Sequence, residues 1–173
     1  MSNALNMKSP VFFLLLICIN IISCQHKNYI YLVRHAEKGS EPAGNVNLNE
    51  RGYARAEALK DVLVQKKITY IFSTNTNRSQ ETAQPLSNQI SIPISNYAND
   101  TLGKFVSKCL GLKQNILIVG HSNTVIIILD SFHVSHTVKQ FPETNYNSLF
   151  IITLKKGKVA NFKETVYGRP SNG

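Results

Sequence analysis

The side chains with the most chemical potential are few and far apart in the chain. Arg34 directly precedes His35, Arg78 follows well downstream, and His121 stands 86 residues beyond His35. A guanidinium presents a planar fork of N–H donors to an anion, and an imidazole can donate, accept or attack according to which nitrogen carries its proton. Taken singly, each is an ordinary surface or core residue. Brought together, two of each would make an anion site with a nucleophile inside it.

The surrounding pattern predicts that convergence. Residues 28–34 (NYIYLVR) are a β-branched and aromatic run that predicts a strand, followed by polar, glycine-containing sequence over 37–47. Residues 48–67 predict a helix: Asn49 can cap it, Leu48 and Tyr53 take the staple positions, and Ala54, Ala58, Leu59, Val62 and Leu63 form one apolar stripe. Strands are predicted over 68–73, 90–94 and 115–120, helices over 77–89, 101–110 and 122–132, and a closing hairpin over 148–154 and 159–164. This alternation implies an α/β three-layer sandwich, a mostly parallel central sheet flanked by helices. Ligands bind such sheets at the carboxyl ends of the strands. The polar clusters 34–38, 73–78 and 120–123 fall at those ends.

Composition narrows the classes. The 173 residues are 43% hydrophobic and 17% charged, with no low-complexity block, which argues against disorder and fibrous repeats and for one globular domain. Lys and Arg number 19 against 10 acidic residues, a net charge of +9. That balance suits nucleic acid, anionic lipid or a phosphorylated substrate alike, but cationic runs with interleaved aromatics are missing, so nucleic acid is disfavoured. Three cysteines without CxxC or zinc-type spacing give no disulfide scaffold and no structural metal site. His133 and His136 lack further ligands and read as exposed polar residues.

The N-terminus has the build of an export signal: Lys8, an apolar run of 12 residues over 11–22, then Ser23 and Cys24. A permanent span needs roughly 20 apolar residues, so the run reads as a signal h-region. The tetrapeptide Ile21-Ile22-Ser23-Cys24 resembles the bacterial lipobox, which implies that Cys24 carries a lipid anchor; ordinary secretory cleavage nearby is the alternative. The expected organisation is a signal peptide at 1–23, a lipidated tether at 24–27 and a domain at 28–173, exported, membrane-anchored and facing the periplasm. The 150 residues left after cleavage keep only Cys109 as an internal thiol, so stability must come from the core.

Four ordered motifs carry a resemblance to the histidine phosphatase superfamily, also called phosphoglycerate mutase-like. Leu32-Val33-Arg34-His35-Ala36-Glu37-Lys38 looks like its Arg-His-Gly/Ala signature, and Leu48 to Gly52 with Ala54 to Leu59 resembles the helix after it. Ser73-Thr74 with Arg78, Thr82, Ala83, Pro85 and Leu86 resembles the second arginine motif, and Val119 to Thr124 the second histidine motif. Phe141-Pro142-Glu143, Tyr146 and Tyr167-Gly168-Arg169 are similar to segments of small bacterial members.

The resemblance implies a metal-independent, cofactor-free phosphoric monoester hydrolase. His35 is then the nucleophile that forms a phosphohistidine, and Arg34, Arg78 and a cationic His121 clamp the phosphoryl oxygens. The proton donor is less defined. Asp100 is placed for it but equally for a helix cap, Glu37 is a second candidate, and Ser122 stands where acid phosphatase relatives carry Asp. Glu37, Lys38, Asn45, Asn123 and Glu143 are rim candidates. The expected partner is a phosphorylated small molecule or an envelope phosphate. A non-catalytic phosphate-binding lipoprotein, a phosphohistidine phosphatase and a mutase-type phosphotransferase are the competing readings, and 150 residues leave no room for a mutase's insertions.

Overall fold

The computed structural model describes residues 27–40 and 44–171. The N-terminal apolar run, Cys24 and the expected cleavage position lie outside the described residues. β1 (Lys27–Arg34) leads to α1 (Glu50–Leu63), β2 (Tyr70–Ser73), α2 (Asn77–Ile90) and β3 (Ile94–Asn96). A 3-10 turn (Asn99–Thr101) then opens α3 (Leu102–Leu112), followed by β4 (Ile116–Gly120), α4 (Ser122–Ser131) and the hairpin β5 (Ser148–Lys155) and β6 (Lys158–Val166).

The strands form one six-stranded sheet in the order β3-β2-β4-β1-β5-β6. The first four run parallel, and the closing hairpin adds two antiparallel strands beside β1. The central strands are apolar on both faces because both are covered. Ile30, Leu32, Ile116 and Ile118 pack with Phe105, Val106, Cys109, Ile128 and Leu129 of α3 and α4. Tyr31, Val33, Leu117 and Val119 pack on the other side with Leu59, Leu63, Ala83 and Leu86 of α1 and α2. This is the three-layer α/β sandwich the pattern implies.

Two elements differ from their sequence expectation. Helix α1 is rotated from the expected stripe: Gly52, Arg55, Ala56, Leu59 and Leu63 are buried, while Tyr53 and Val62 are exposed. A Cβ on Gly52 would collide with the Glu37 carbonyl, so this glycine lets the helix lie against the loop after β1. Leu48 packs with Ala36 and Ala56 instead of stapling Tyr53. The Asn49 cap forms as expected, with its Oδ1 accepting from the Gly52 N–H at 2.9 Å. Helix α2 continues through Ile90 and ends at Ser91, which takes the left-handed conformation, so β3 starts at Ile94 and not at residue 90.

Candidate active site

Register brings the two histidines together. Arg34, the last residue of β1, is paired with Gly120, the last of β4, and the His35 N–H donates to the Gly120 carbonyl at 2.8 Å. His35 and His121 are therefore the first residues beyond adjacent strand ends, and their ring centroids lie 5.3 Å apart. Gly120 must lack a side chain here, since a Cβ would meet Thr124 Oγ1 at 2.6 Å and Tyr97 Oη at 2.7 Å. Arg78 comes from the first turn of α2. Thr82, one turn later, donates its hydroxyl to the Arg78 carbonyl at 2.6 Å and accepts the Ala36 N–H at 2.9 Å, tying the helix to the histidine loop.

The hydrogen bonds assign the protons on both rings. His35 Nδ1 lies 2.8 Å from the Ala36 carbonyl, which can only accept, so Nδ1 carries the hydrogen and Nε2 keeps its lone pair. Burial is the main force pushing this imidazole down to about 3; Arg34, His121 and Arg78 add to it, and the Ala36 bond opposes it. The His121 ring accepts from the Thr124 N–H in the first turn of α4, and its Nε2 faces Thr74 Oγ1 at 2.9 Å. With one nitrogen accepting, the other is a donor: Nε2–H points to Thr74, whose hydroxyl passes on to Ser79 Oγ at 2.8 Å. Burial, then Arg78 and Arg34, push His121 down to about 4. The expected cationic His121 is thus corrected. At neutral pH it is an uncharged N–H donor, because desolvation and two guanidiniums disfavour a third positive charge.

Arg34 is buried and held by the segment before β5. Its Nη1 donates to the carbonyls of Pro142 at 3.0 Å and Asn145 at 3.2 Å, its Nη2 reaches Glu143 at 3.4 Å, and its guanidinium carbon stands 4.3 Å from the Tyr146 ring centroid. Tyr146 also lies against His35, with centroids 5.9 Å apart. The Nε atoms of Arg34 and Arg78 are both buried without a hydrogen-bond partner. Two orphaned cationic donors beside two imidazoles call for an oxyanion.

The other candidates are distributed less tightly. Both carboxylate oxygens of Glu37 are taken by Arg55, at 2.8 Å from Nε and 2.7 Å from Nη2, in a buried ion pair. Burial alone would raise the Glu37 carboxyl, but Arg55 outweighs it and holds the group below the usual range. Asn45 is bound to Asn77, tying the loop to the start of α2. Lys38 and Asn123 are exposed, and Glu143 is largely exposed beyond Arg34. Asp100 is exposed in the 3-10 turn, and the cap of α3 falls on Thr101, without a side-chain cap bond. Tyr97 holds this segment beside β4 through a 3.2 Å bond to the Val119 carbonyl. Sequence reasoning passed over Thr74, Thr82 and Arg55, and it gave Tyr146 no role. The two threonines lie inside quoted motifs; Arg55 was hidden by its place beside the expected stripe.

With the geometry in place, comparison with known proteins is direct. Residues 30–99 match the model of the histidine phosphatase superfamily (branch 1), in agreement with the resemblance drawn from the motifs. No curated protein matches the chain. Among solved structures, the protein histidine phosphatase SixA complexed with tungstate is 14% identical, with TM-score 0.64 over 80% of this chain and 96% of that one. YhfR from Bacillus stearothermophilus is 15% identical, with TM-score 0.61 over 77% of this chain and 94% of that one. The mycobacterial glucosyl-3-phosphoglycerate phosphatase Rv2419c is 11% identical, with TM-score 0.59 over 82% and 98%. At these identities the likeness is one of fold, phosphoglycerate mutase-like.

Proposed function

We propose that the chain is an exported, lipid-anchored phosphatase that hydrolyses phosphate monoesters through a phosphohistidine on His35, without a metal ion. The observation that carries this reading is the pair of orphaned guanidinium Nε atoms flanking a buried imidazole whose proton is fixed on Nδ1. Catalysis of phosphoryl transfer rests on positioning and on stabilising charge over the equatorial oxygens. Arg34, Arg78 and the Nε2–H of His121 supply donors for those oxygens. The His35 Nε2 lone pair attacks phosphorus as the ester P–O bond breaks and the leaving oxygen takes a proton. Water then attacks phosphorus and returns a proton to the group that protonated the leaving oxygen, the P–N bond breaks, and phosphate leaves a neutral His35. Asp100 is the proposed donor of the leaving-group proton; it follows Tyr97, whose hydroxyl bonds the Val119 carbonyl of β4, by three residues. Lys38, Asn45, Asn123 and Glu143 stand as rim residues.

Hydrolysis of p-nitrophenyl phosphate by wild type and by His35→Ala tests the reading. Turnover in the wild type that disappears in the variant supports it, and equal turnover in both refutes it.

The carboxylates favour a narrower second reading. Glu37 is neutralised by Arg55, Glu143 by Arg34, and Asp100 is exposed. Such a site suits phosphoryl groups on leaving groups that need little protonation, such as nitrogen-bound phosphate, the class named for SixA. If Asp100→Asn slows alkyl and activated esters equally, Asp100 is not the acid and this second reading gains.

Export and anchoring are supported by the run 11–22 and by Cys24. The proposed boundaries are a signal peptide at 1–23, a tether from 24 and a catalytic domain that begins with β1 at Lys27, one residue before the expected boundary. An envelope phosphate within reach of the membrane is the substrate this address suggests.

A further inference from the structure

The end of the sheet opposite the histidines is rich in lysine. Register sets Lys27, at the start of β1, beside Lys155, at the end of β5, and Lys155 in turn beside Lys158, at the start of β6. Lys156 sits in the turn between those two strands. Two more turns meet the same end. Asn115, just before β4, accepts the Tyr29 N–H on its Oδ1 at 3.0 Å and the Thr69 N–H on its carbonyl at 3.0 Å, and its Nδ2 donates to the Lys66 carbonyl at 2.8 Å. Lys66 and Lys67, between α1 and β2, and Lys113, at the end of α3, are therefore gathered near the start of β1. A Cβ on Gly157 would stand 3.7 Å from the Leu110 carbonyl, which places the β5–β6 turn against the last turn of α3.

These charges are not matched within the fold. All seven lysines are exposed, and none joins an ion pair among the described residues. Two carboxylates lie in helix turns that run toward this end, Asp61 in the last turn of α1 and Asp130 in the last turn of α4. Lys60 holds the first at 3.4 Å and His136 the second at 3.0 Å. Glu164, farther along β6, accepts from Ser148 at 3.2 Å. The cluster is also uniform in type. An ammonium is a hydrated point charge without the fixed fork that grips one phosphate, so a set of them suits a diffuse negative surface better than a single ligand.

The start of β1 says which surface. Cys24 lies three residues before Lys27, within about 11 Å at full extension, and the apolar run 11–22 precedes it. Lysines attract a charged membrane only over about 8 Å at physiological ionic strength, so nearness to lipid decides whether they act. We infer that this lysine-rich end is a docking surface for an anionic lipid bilayer, with the sheet standing upright on it. β1 spans eight residues, so the histidine pair beyond its far end is held about 25 Å from the lipid and opens away from it. The surface depends neither on phosphatase activity nor on a lipid at Cys24; lipidation would hold in place an orientation that the lysines set.

Full-length Cys24→Ser protein is partitioned onto sedimented vesicles of phosphatidylcholine alone and of phosphatidylcholine mixed with phosphatidylglycerol. The N-terminal run and Lys8 are common to every variant, so changes in the ratio of the two partition constants read the charges of the folded domain. Each lysine near an anionic surface strengthens binding about fivefold. The ratio should therefore fall at least tenfold in Lys27→Gln/Lys155→Gln/Lys158→Gln, and less than threefold in Lys104→Gln/Lys139→Gln/Lys163→Gln, which removes exposed lysines elsewhere. In the parent protein, raising the salt concentration should abolish the preference for phosphatidylglycerol, a readout that needs no substitution. No preference for the anionic vesicles, an equal fall in both triple variants, or binding to a DNA duplex without binding to those vesicles overturns the inference. Neither fatty-acid labelling nor ester hydrolysis enters the readout, so the lipobox and phosphatase readings stand or fall apart from it.

Discussion

At the residue scale, the site is governed by where two protons sit. The Ala36 carbonyl and the Thr124 N–H give the two imidazoles opposite tasks, one a lone pair and the other a donor. With both rings pushed down, to about 3 and about 4, neither titrates between pH 5 and 8. Ring resonances of His35 and His121 should hold their neutral positions across that range in NMR titration, whereas midpoints near 6.5 would contradict the burial argument. The sign for stability follows. The unfolded histidines take up protons below about 6.5 while the native ones refuse them until about 3 to 4, so stability falls as pH drops through this window. A lower urea midpoint at pH 4.5 than at pH 7.5 is expected. Arg78→Ala should lower kcat/KM by about 10²–10³ and weaken tungstate binding, since it removes a cationic donor from the developing charge. Unimpaired tungstate affinity would take Arg78 out of the phosphate site.

At the element scale, three strand ends and one helix start do the positioning. The continuous apolar run of β4 and the mixed β-branched and aromatic run of β1 made their burial legible, and with it the juxtaposition of the polar clusters that follow them. The rotation of α1 was not legible, because alanines sit on both sides of the helix and Arg55 reads as a surface cation until Glu37 is placed opposite it. That buried pair is an anchor for the loop carrying His35. Arg55→Met leaves Glu37 buried and unpaired and should cost about 3–5 kcal/mol in chemical denaturation. A change below about 1 kcal/mol would show that the pair is dispensable. The segment around Glu143 and Tyr146 was likewise obscure: it has no periodicity, and its carbonyls, not its side chains alone, hold Arg34. Neither the tautomers nor the hydroxyl relay from His121 through Thr74 to Ser79 had any signal in spacing, since they depend on side-chain directions set by the packed sheet.

At the scale of the whole molecule, the sheet presents its cationic pocket at one end, and the chain's net charge of +9 accords with an anionic substrate. The proposed anchor is separable from the chemistry: fatty-acid labelling should tag the wild type and not Cys24→Ser, and labelling that persists in the variant would remove the lipobox reading. The central claim concerns a bond, between phosphorus and Nε2 of His35. Incubation with p-nitrophenyl phosphate, a rapid denaturing quench at alkaline pH and mass spectrometry of the His35 peptide test it most directly. The account predicts a peptide carrying one phosphoryl group on His35, absent from His35→Ala. Steady turnover of the ester with no phosphoryl group on His35 at any time point would contradict it.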